Sequence, residues 1–234
     1  NYRCMDHASD SDPLVVRLRE GLERIAFVLR ADLWTLAGQS GLNPSQAQVL
    51  NLLASRPDGM RAKDVAAFLS VSAASMTDTL SALARKELVT READLSNARA
   101  VRVRSTETGR ILGERIAQSS TQVGEALAPL SISAQAELLL TQITLIRQLQ
   151  RAGAIPLQRM CVSCRYFRPR TYPASAKLHH CAFIDAPIGD GDLRLDCMEH
   201  ETADSDLQDA NWETFAATSL ASADRTVQPA RSAP

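Results

Sequence analysis

The stretch that decides the fold is residues 88–109, LVTREADLSNARAVRVRSTETG. It begins with an apolar pair, passes through the turn formers Asp94, Ser96 and Asn97, and ends where apolar residues alternate with arginines. Alternation with a period of two is typical of a β-strand, and Asp, Ser and Asn favour the turn between two strands. The stretch therefore predicts a β-hairpin that carries basic side chains.

Two short helices joined by a tight turn are predicted before this hairpin, over residues 62–69 and about 73–86. The second carries an apolar stripe of Met76, Leu80 and Leu83, which recur at the steps of one helix face. Small and polar residues occupy its opposite face. The pair therefore predicts a helix-turn-helix whose second helix presents a polar face outward, with the hairpin as a wing.

Longer helices flank this region. Apolar periodicity predicts helices over about 13–37, from Ser45 to about 56, from Thr106 to Leu127, over 133–151 and over about 206–220. Leu and Ala dominate and aromatic residues make up only 4%, which also favours helix. The predicted fold class is mainly α: a winged helix-turn-helix with long dimerisation helices and a small C-terminal extension that binds a metal or cluster.

Residues 14–151 resemble the MarR family of bacterial winged-helix regulators. The helix order and residues 88–109 carry the resemblance, because the family's wing has a Leu-Val-x-Arg start, an Asp-rich tip, an arginine, a Val-x-Val strand and a Thr-x-x-Gly helix start. One departure is Asn97, where the family commonly has an aspartate that orients the wing arginine. The resemblance implies a homodimer with interleaved terminal helices. It also implies a palindromic double-stranded DNA operator as partner.

The predicted DNA contacts lie on the second helix and the wing. The net charge of −1 does not indicate a nucleic-acid partner, but residues 56–104 hold nine Lys/Arg against six Asp/Glu. Short polar side chains suit base edges, an arginine at the wing tip suits a narrow minor groove, and Arg91 and Lys86 suit phosphates. The predicted DNA-binding residues are Ser75, Thr77, Ser81, Arg85, Arg91 and Arg99.

Four cysteines near the C-terminus have the spacing C-x2-C-x16-C-x15-C. Their segment is short and polar, and units below roughly 40 residues usually need a disulfide, a metal or a partner for stability. Four thiols in a reducing compartment favour a metal or cluster site. The predicted metal ligands are Cys161, Cys164, Cys181 and Cys197. The neighbouring His179, His180 and His200 are candidates to support or replace a ligand.

The spacing leaves the cofactor open between iron–sulfur, zinc and plain thiols or disulfides. Structural zinc sites usually pair two C-x2-C knuckles, and only Cys161–Cys164 forms one here. The run Cys-x-x-Cys-x-Tyr-Phe, then Cys-Ala-Phe and a late single cysteine, is similar to high-potential iron–sulfur proteins. That resemblance implies a 4Fe–4S cluster, with a 2Fe–2S cluster as the smaller alternative.

The predicted organisation is a flexible N-terminus (1–13), a winged-helix DNA-binding and dimerisation domain (14–156, with the winged helix-turn-helix at 45–105), a cysteine-rich cofactor module (157–201), and a short helix with a disordered tail (202–234). No apolar run approaches the ~18 residues that span a bilayer, and no signal peptide is visible. We therefore expect a cytoplasmic location and no membrane partner.

The predicted function is transcriptional regulation in which a cluster that senses redox state, iron or oxygen modulates operator affinity. In this hypothesis, oxidation or loss of the cluster unfolds residues 157–201 and changes the angle between two DNA-binding lobes. The alternative is a regulator of the same family that responds to a small organic effector and holds a structural zinc. The third class is an electron-transfer protein or an enzyme. It is disfavoured because the sequence shows no nucleophile–base constellation, no phosphate-binding glycine loop and no second redox motif, so we expect no enzymatic activity.

Overall fold

The computed structural model describes residues 12–94 and 97–223. The predicted flexible N-terminus up to residue 11, the wing-tip residues 95–96 and the predicted disordered tail from residue 224 lie outside this range. The described residues form two compact units. The first consists of the residues up to Ala62 together with Ala74–Pro129, and the second of Lys63–Ala73 together with the residues from Leu130 onward.

The elements up to residue 127 follow the order of a winged helix. They are α1 (Pro13–Gln39), α2 (Pro44–Ala54), β1 (Met60–Arg61), α3 (Ala62–Phe68), α4 (Ala73–Arg85), β2 (Val89–Asp94), β3 (Asn97–Ser105), α5 (Glu107–Gln118) and α6 (Gln122–Leu127). The strands form an antiparallel sheet in the order β1-β3-β2, with Val89 opposite Ser105 and Met60 opposite Val103. The predicted hairpin and the mainly α fold class are therefore confirmed.

The apolar stripe of α4 is buried as its spacing predicts. Met76, Leu80 and Leu83 are each at most 2% exposed, while most residues on the far side of the helix are exposed. The orientation of α4 in the first unit therefore follows from burial of this stripe. The core of the same unit also contains the fully or almost fully buried residues of α2, among them Val49, Leu50 and Leu53.

A tight junction joins the wing to α5. The Thr106 side chain accepts a hydrogen bond from the Gly109 amide (3.0 Å) and donates one to the Glu87 carbonyl (2.8 Å), which caps the helix start. A Cβ atom at residue 109 would collide with the Leu88 carbonyl oxygen. The Thr-x-x-Gly pattern is thus explained by a cap and by a close backbone approach.

The helix predicted from Thr106 to Leu127 is wrong as a single element, because α5 ends at Gln118 and α6 begins at Gln122. Thr121 caps α6 by accepting from the Gly124 amide (3.0 Å). The buried Asp32 of α1 accepts from both the main-chain and the side-chain amide of Gln122, at 2.9 and 3.0 Å. Local side-chain hydrogen bonds that compete with helix, and a contact from α1, therefore divide this segment.

The second unit contains α7 (Ile132–Arg151), β4 (Phe167–Arg168), β5 (His179–Cys181), β6 (Ala186–Ile188) and α8 (Ser205–Ala223). The three short strands form an antiparallel sheet in the order β4-β5-β6. Its core is built from α7, the cysteine-containing segment and α8. The buried members are Ile143, Met160, Val162, Cys164, Phe167, Leu193 and Phe215.

Within the described ranges, no single helix has both the length and the apolar character needed to cross a membrane, although α3 and α4 taken together pass the same test by length and composition.

Candidate functional site

The outward face of α4 is the first candidate site. Ser75, Thr77 and Arg85 are exposed and Ser81 is partly exposed, on a helix whose other face is buried. Arg85 lies in the last turn of the helix, next to its C-terminal end. Four of the six residues predicted from sequence to contact DNA therefore lie together on one short helix of the first unit.

Arg91 connects the wing to this helix. Its guanidinium donates to the Ser81 hydroxyl (3.1 Å), and that hydroxyl donates in turn to the Thr77 carbonyl (2.7 Å). Because an arginine has five N–H donors, Arg91 keeps others for an external acceptor such as a phosphate. The Ser81 hydroxyl both donates and accepts a bond inside the protein, so it positions Arg91 as well as lining the surface.

The other basic candidates differ in their surroundings. Lys86 donates to the Gly41 carbonyl (2.6 Å) and to the Gln46 side-chain oxygen (3.1 Å), so two of its three donors hold the start of α2. This leaves one donor of Lys86 for the phosphate contact predicted from sequence. Arg99 lies on β3, and its side chain is outside the described part of the wing.

Asp94, which the sequence predicts to be a turn residue, instead ends β2 as a buried aspartate at the base of the wing. The Asp94 side chain is 1% exposed and accepts from Arg61 (2.9 Å) and Arg102 (2.8 Å). The pairing register of β2 with β3 shifts between Ala93 and Asp94. The two arginines neutralise the buried carboxylate and join β1, β2 and β3, which fixes the base from which the wing extends. The partner Arg61 is 33 residues away in sequence, so no local pattern signals this pair.

The cysteine module is the second candidate site. Cys161, Cys164, Cys181 and Cys197 are free thiols, and all four line one cavity of about 340 Å³ in the second unit. The rest of the lining is mostly apolar and includes Tyr166, Phe167 and Phe183. Residues up to 36 positions apart in sequence are therefore brought together, and no disulfide links these four cysteines.

Arg194 contacts two of these cysteines, Cys161 through its main chain and Cys197 through its side chain. The Cys161 amide donates to the Arg194 carbonyl (3.1 Å), and the Arg194 amide donates to the Cys161 sulfur (3.2 Å). The Arg194 guanidinium is 4.0 Å from the Cys197 sulfur. Burial raises the pKa of the Cys161 thiol to about 11, against the lowering effect of the Arg194 amide. Cys161 therefore carries its proton at neutral pH.

The four thiols of the cavity are ligands of the kind that a metal centre uses. In a tetrahedral zinc site, Zn–S bonds of about 2.3 Å would hold the four sulfurs roughly 3.8 Å apart. Among the described residues, no group of three or more Cys, His, Asp or Glu side chains is arranged to hold one metal ion. Four thiols that line one cavity are the donor set both of a tetrahedral zinc site and of an iron–sulfur cluster.

Two of the three histidines near the cysteines, His179 and His180, have hydrogen-bond partners other than the cysteines. His179 is fully buried; its Nδ1 accepts from the Arg170 amide (3.1 Å) and its Nε2 lies 2.9 Å from Asp190. Burial lowers the pKa of His179, although Asp190 acts in the opposite direction. His180 has Tyr172 (3.2 Å) and Asp185 (3.3 Å) beside its two ring nitrogens. Both rings thus have their nitrogens engaged away from the cavity.

His200 has a position that suits support of the cysteine knuckle. Its Nε2 is 3.0 Å from the hydroxyl of Ser163, a buried residue between Cys161 and Cys164. The Ser163 hydroxyl also approaches the Met160 carbonyl (3.0 Å). Burial lowers the pKa of His200, so the neutral ring is favoured. Neither His200 nor the other two histidines line the cavity of the four thiols.

Residues 40–100 match the model of the MarR family. This range begins just before α2 and ends within β3, so it contains the helix-turn-helix and most of the wing. The elements of this segment are those of a winged helix, and the segment is similar in sequence to the MarR family. No curated protein matches the chain in sequence.

Several solved structures are similar to part of the chain. The Staphylococcus aureus MepR–DNA complex is 19% identical and covers 56% of this chain and 97% of its own, with a TM-score of 0.46. CouR from Rhodococcus jostii RHA1 bound to p-coumaroyl-CoA is 21% identical, with coverages of 58% and 90% and a TM-score of 0.45. Streptococcus pneumoniae FabT in complex with DNA is 19% identical, with coverages of 59% and 99% and a TM-score of 0.49.

Proposed function

We propose that this chain is a DNA-binding transcriptional regulator of the MarR type that acts as a homodimer and holds an iron–sulfur cluster on its four C-terminal cysteines. The match of residues 40–100 to the MarR family carries the DNA-binding part, because that family consists of transcriptional regulators rather than enzymes. The shared cavity of the four free thiols carries the cluster part. DNA as the partner makes the cytoplasm the site of action.

The exposed side of α4 supports the DNA-binding part. It offers the short side chains of Ser75 and Thr77, with Arg85 at one end and Arg91 held beside Ser81. Short polar groups can approach base edges in a major groove, while the flanking arginines reach phosphates or guanine. Two such helices in a two-fold dimer would meet half-sites about one helical turn apart, which predicts a palindromic operator.

The exposed apolar side chains of α1 support a dimer. Leu18, Leu22 and Ile25 are 59%, 53% and 48% exposed, and Phe27 and Trp34 are 62% and 65% exposed. Leu18, Leu22 and Ile25 recur at the steps of one helix face, and an exposed apolar patch of this kind usually marks an interface. A second copy of the chain is the partner that a two-fold operator requires.

Replacing Arg99 with alanine tests the assigned role of the wing. We expect Arg99→Ala to weaken binding to an operator selected from random duplexes by about 1–3 kcal/mol, because a minor-groove arginine would be lost. Fluorescence anisotropy at fixed, moderate salt measures this affinity. Arg151→Ala is the control, since Arg151 is an exposed arginine at the end of α7 and its variant should bind as the unchanged chain does. Equal affinity of Arg99→Ala and the control would refute the role.

The chemistry of the cysteine cavity supports the cluster. Four thiols in a mostly apolar lining match the donor set of iron–sulfur clusters, which are held by four cysteine thiolates. When bound, such a cluster supplies a one-electron centre that is sensitive to oxidants and iron supply. Tyr166 and Phe183, with ring centroids 5.4 Å apart, cover part of the cavity and would limit the access of water.

α7 can transmit the state of this site. Cys164 belongs to the same buried core as Ile143 of α7, and Arg147 of α7 is held between Asp209 (2.9 Å) and the ring of Trp212 (4.6 Å) on α8. The other side of α7 exposes Leu138, Leu145 and Leu149. Disorder of the cysteine segment would therefore remove packing from one face of a helix whose other face is available to a partner subunit.

A comparison of the loaded and cluster-free protein tests the proposed function. We expect anaerobically purified protein to contain iron and sulfide and to absorb at about 400 nm, the region expected from general iron–sulfur chemistry. Its affinity for the selected operator should differ about tenfold from that of the cluster-free chain, which requires only ~1.4 kcal/mol of differential stability.

The other outcomes distinguish the parts of the proposal. Equal operator affinity with and without the cluster would mean that the module stabilises the chain but does not sense. One zinc per chain, with no iron or colour, would support the alternative of a zinc-stabilised regulator with a small organic effector. Failure to select any duplex would refute the DNA-binding part.

A further inference from the structure

Arg194 is the residue that connects two of the four thiols of the cavity. Its amide donates to the Cys161 sulfur (3.2 Å), its carbonyl accepts from the Cys161 amide (3.1 Å), and its guanidinium approaches the Cys197 sulfur (4.0 Å). Cys161 and Cys197 are 36 positions apart in sequence. Arg194 thus contacts the first and the last cysteine of the motif at once.

The main chain of Arg194 is anchored by its neighbours. Leu193 is 5% exposed and belongs to the core of the second unit, and Leu195 packs against the same core. Arg194 itself is exposed and lines the cavity, so its side chain lies at the rim of the cavity. Its main chain is held in place by the packing of Leu193 and Leu195. Because the main chain is already anchored, the guanidinium loses less conformational entropy on contacting a sulfur than it would on a flexible loop.

We propose that Arg194 raises the reduction potential of the centre held by the four cysteines, by donating to the sulfur of Cys197 through its guanidinium. This inference rests on the proposed cluster function. Reduction adds one electron to the centre with all four sulfurs still bound, so the reduced form carries one more negative charge. A positive donor beside a ligating sulfur stabilises that form more than the oxidised one.

The other charged groups that line the cavity provide a matched comparison. Lys177 is also positive and lines the same cavity, but no hydrogen bond joins its ammonium to a cysteine sulfur in the described ranges. Asp192 and Glu199 are the negative lining residues, and the Asp192 carboxylate accepts from the Gly189 amide (2.9 Å). Lys177→Gln and Arg194→Gln remove the same charge from the same cavity, and only the second removes a donor to sulfur.

The experiment is a redox titration of the full-length, cluster-loaded protein with sodium dithionite under anaerobic conditions, followed by the visible absorbance of the cluster and by electron paramagnetic resonance. At a fixed potential, Arg194→Gln should lower the ratio of reduced to oxidised centres about tenfold, which is a shift of about 59 mV for one electron. Lys177→Gln should change this ratio much less. Arg194→Lys, which keeps the charge, should fall between these two variants.

Each outcome has a distinct meaning. A cluster that loads fully in Arg194→Gln and shows the same ratio as Lys177→Gln would overturn the inference and leave the proposed function intact. If Arg194→Gln does not load a cluster, the Arg194→Lys variant decides the question. A ratio of reduced to oxidised centres in Arg194→Lys equal to that in Lys177→Gln would then overturn the inference. Absence of a redox-active cluster from the unchanged protein would overturn both the proposed function and the role of Arg194.

Discussion

Cys164→Ser is expected to abolish iron and sulfide loading, with a roughly tenfold or greater loss of both relative to the unchanged protein. Cys164 is the most buried of the four thiols, and it lies both at the cavity and in the core with Ile143 and Met160. A serine there removes one of the four thiolates that clusters require and places a hydroxyl among apolar side chains. Colorimetric iron and sulfide analysis of anaerobically purified protein measures the loss.

Cys4→Ser is the control for this substitution. Cys4 is the fifth cysteine of the chain, lies outside the described residues and is far from the motif in sequence. Its variant should load iron and sulfide as the unchanged protein does. In the proposed mechanism, Cys164→Ser should also bind the selected operator with the affinity of the cluster-free chain. Full loading of Cys164→Ser would show that the cavity is not the cluster site.

The DNA-binding fold could be predicted from sequence because its determinants are local. The stripe of Met76, Leu80 and Leu83 fixes which side of α4 is buried, and the alternation along residues 100–104 fixes the strand. Thr106 and Gly109 lie within one helical turn of each other. Such patterns need no knowledge of the rest of the chain, which is why the bounds of α3 and α4 agree with the structure within about two residues.

The contacts that sequence did not predict join distant residues. Asp32 holds the start of α6 from 90 positions away, and Asp94 is paired with Arg61 across 33 positions. The strands β4, β5 and β6 have only two or three residues each, which is too short for an alternating pattern to be recognised. Tertiary hydrogen bonds and very short strands leave no periodic signal in the sequence.

The cysteine motif was predictable in part: the grouping of its four thiols could be read from the sequence, but the contacts around them could not. Its spacing predicted that the four thiols are ligands of one centre, and in the structure they line one cavity. The spacing could not decide between a single ion and a cluster, because that choice depends on the distances between sulfurs. Nor could it identify Arg194, whose contacts with Cys161 and Cys197 depend on how Leu193 and Leu195 pack.

Phe167→Ala is expected to lower the free energy of unfolding of the second unit by about 3–5 kcal/mol, the range for removing a buried phenylalanine. Phe167 is 2% exposed, and its ring lies 5.2 Å from that of His179 and 6.1 Å from that of Phe215. Its carbonyl accepts from the buried Asn211 side chain (3.1 Å). The ring therefore fills the space between β5 and α8, and its removal would leave a cavity beside Cys164. Urea denaturation followed by circular dichroism measures the change.

Phe183→Ala is the control for Phe167→Ala, because it removes a phenylalanine near the cysteines that is not part of the buried core. Phe183 also lines the cavity, but it is 47% exposed and its only ring contact among the described residues is the edge of Tyr166. Phe183→Ala should lower the free energy of unfolding by about 1 kcal/mol or less, the contribution of one aromatic pair. Equal costs for the two variants would contradict the structure, because they would mean that the core joining α8 to the cysteine segment contributes no more than an exposed ring. A larger cost for Phe167→Ala would support the view that the same core that stabilises the second unit also holds Cys164 in place.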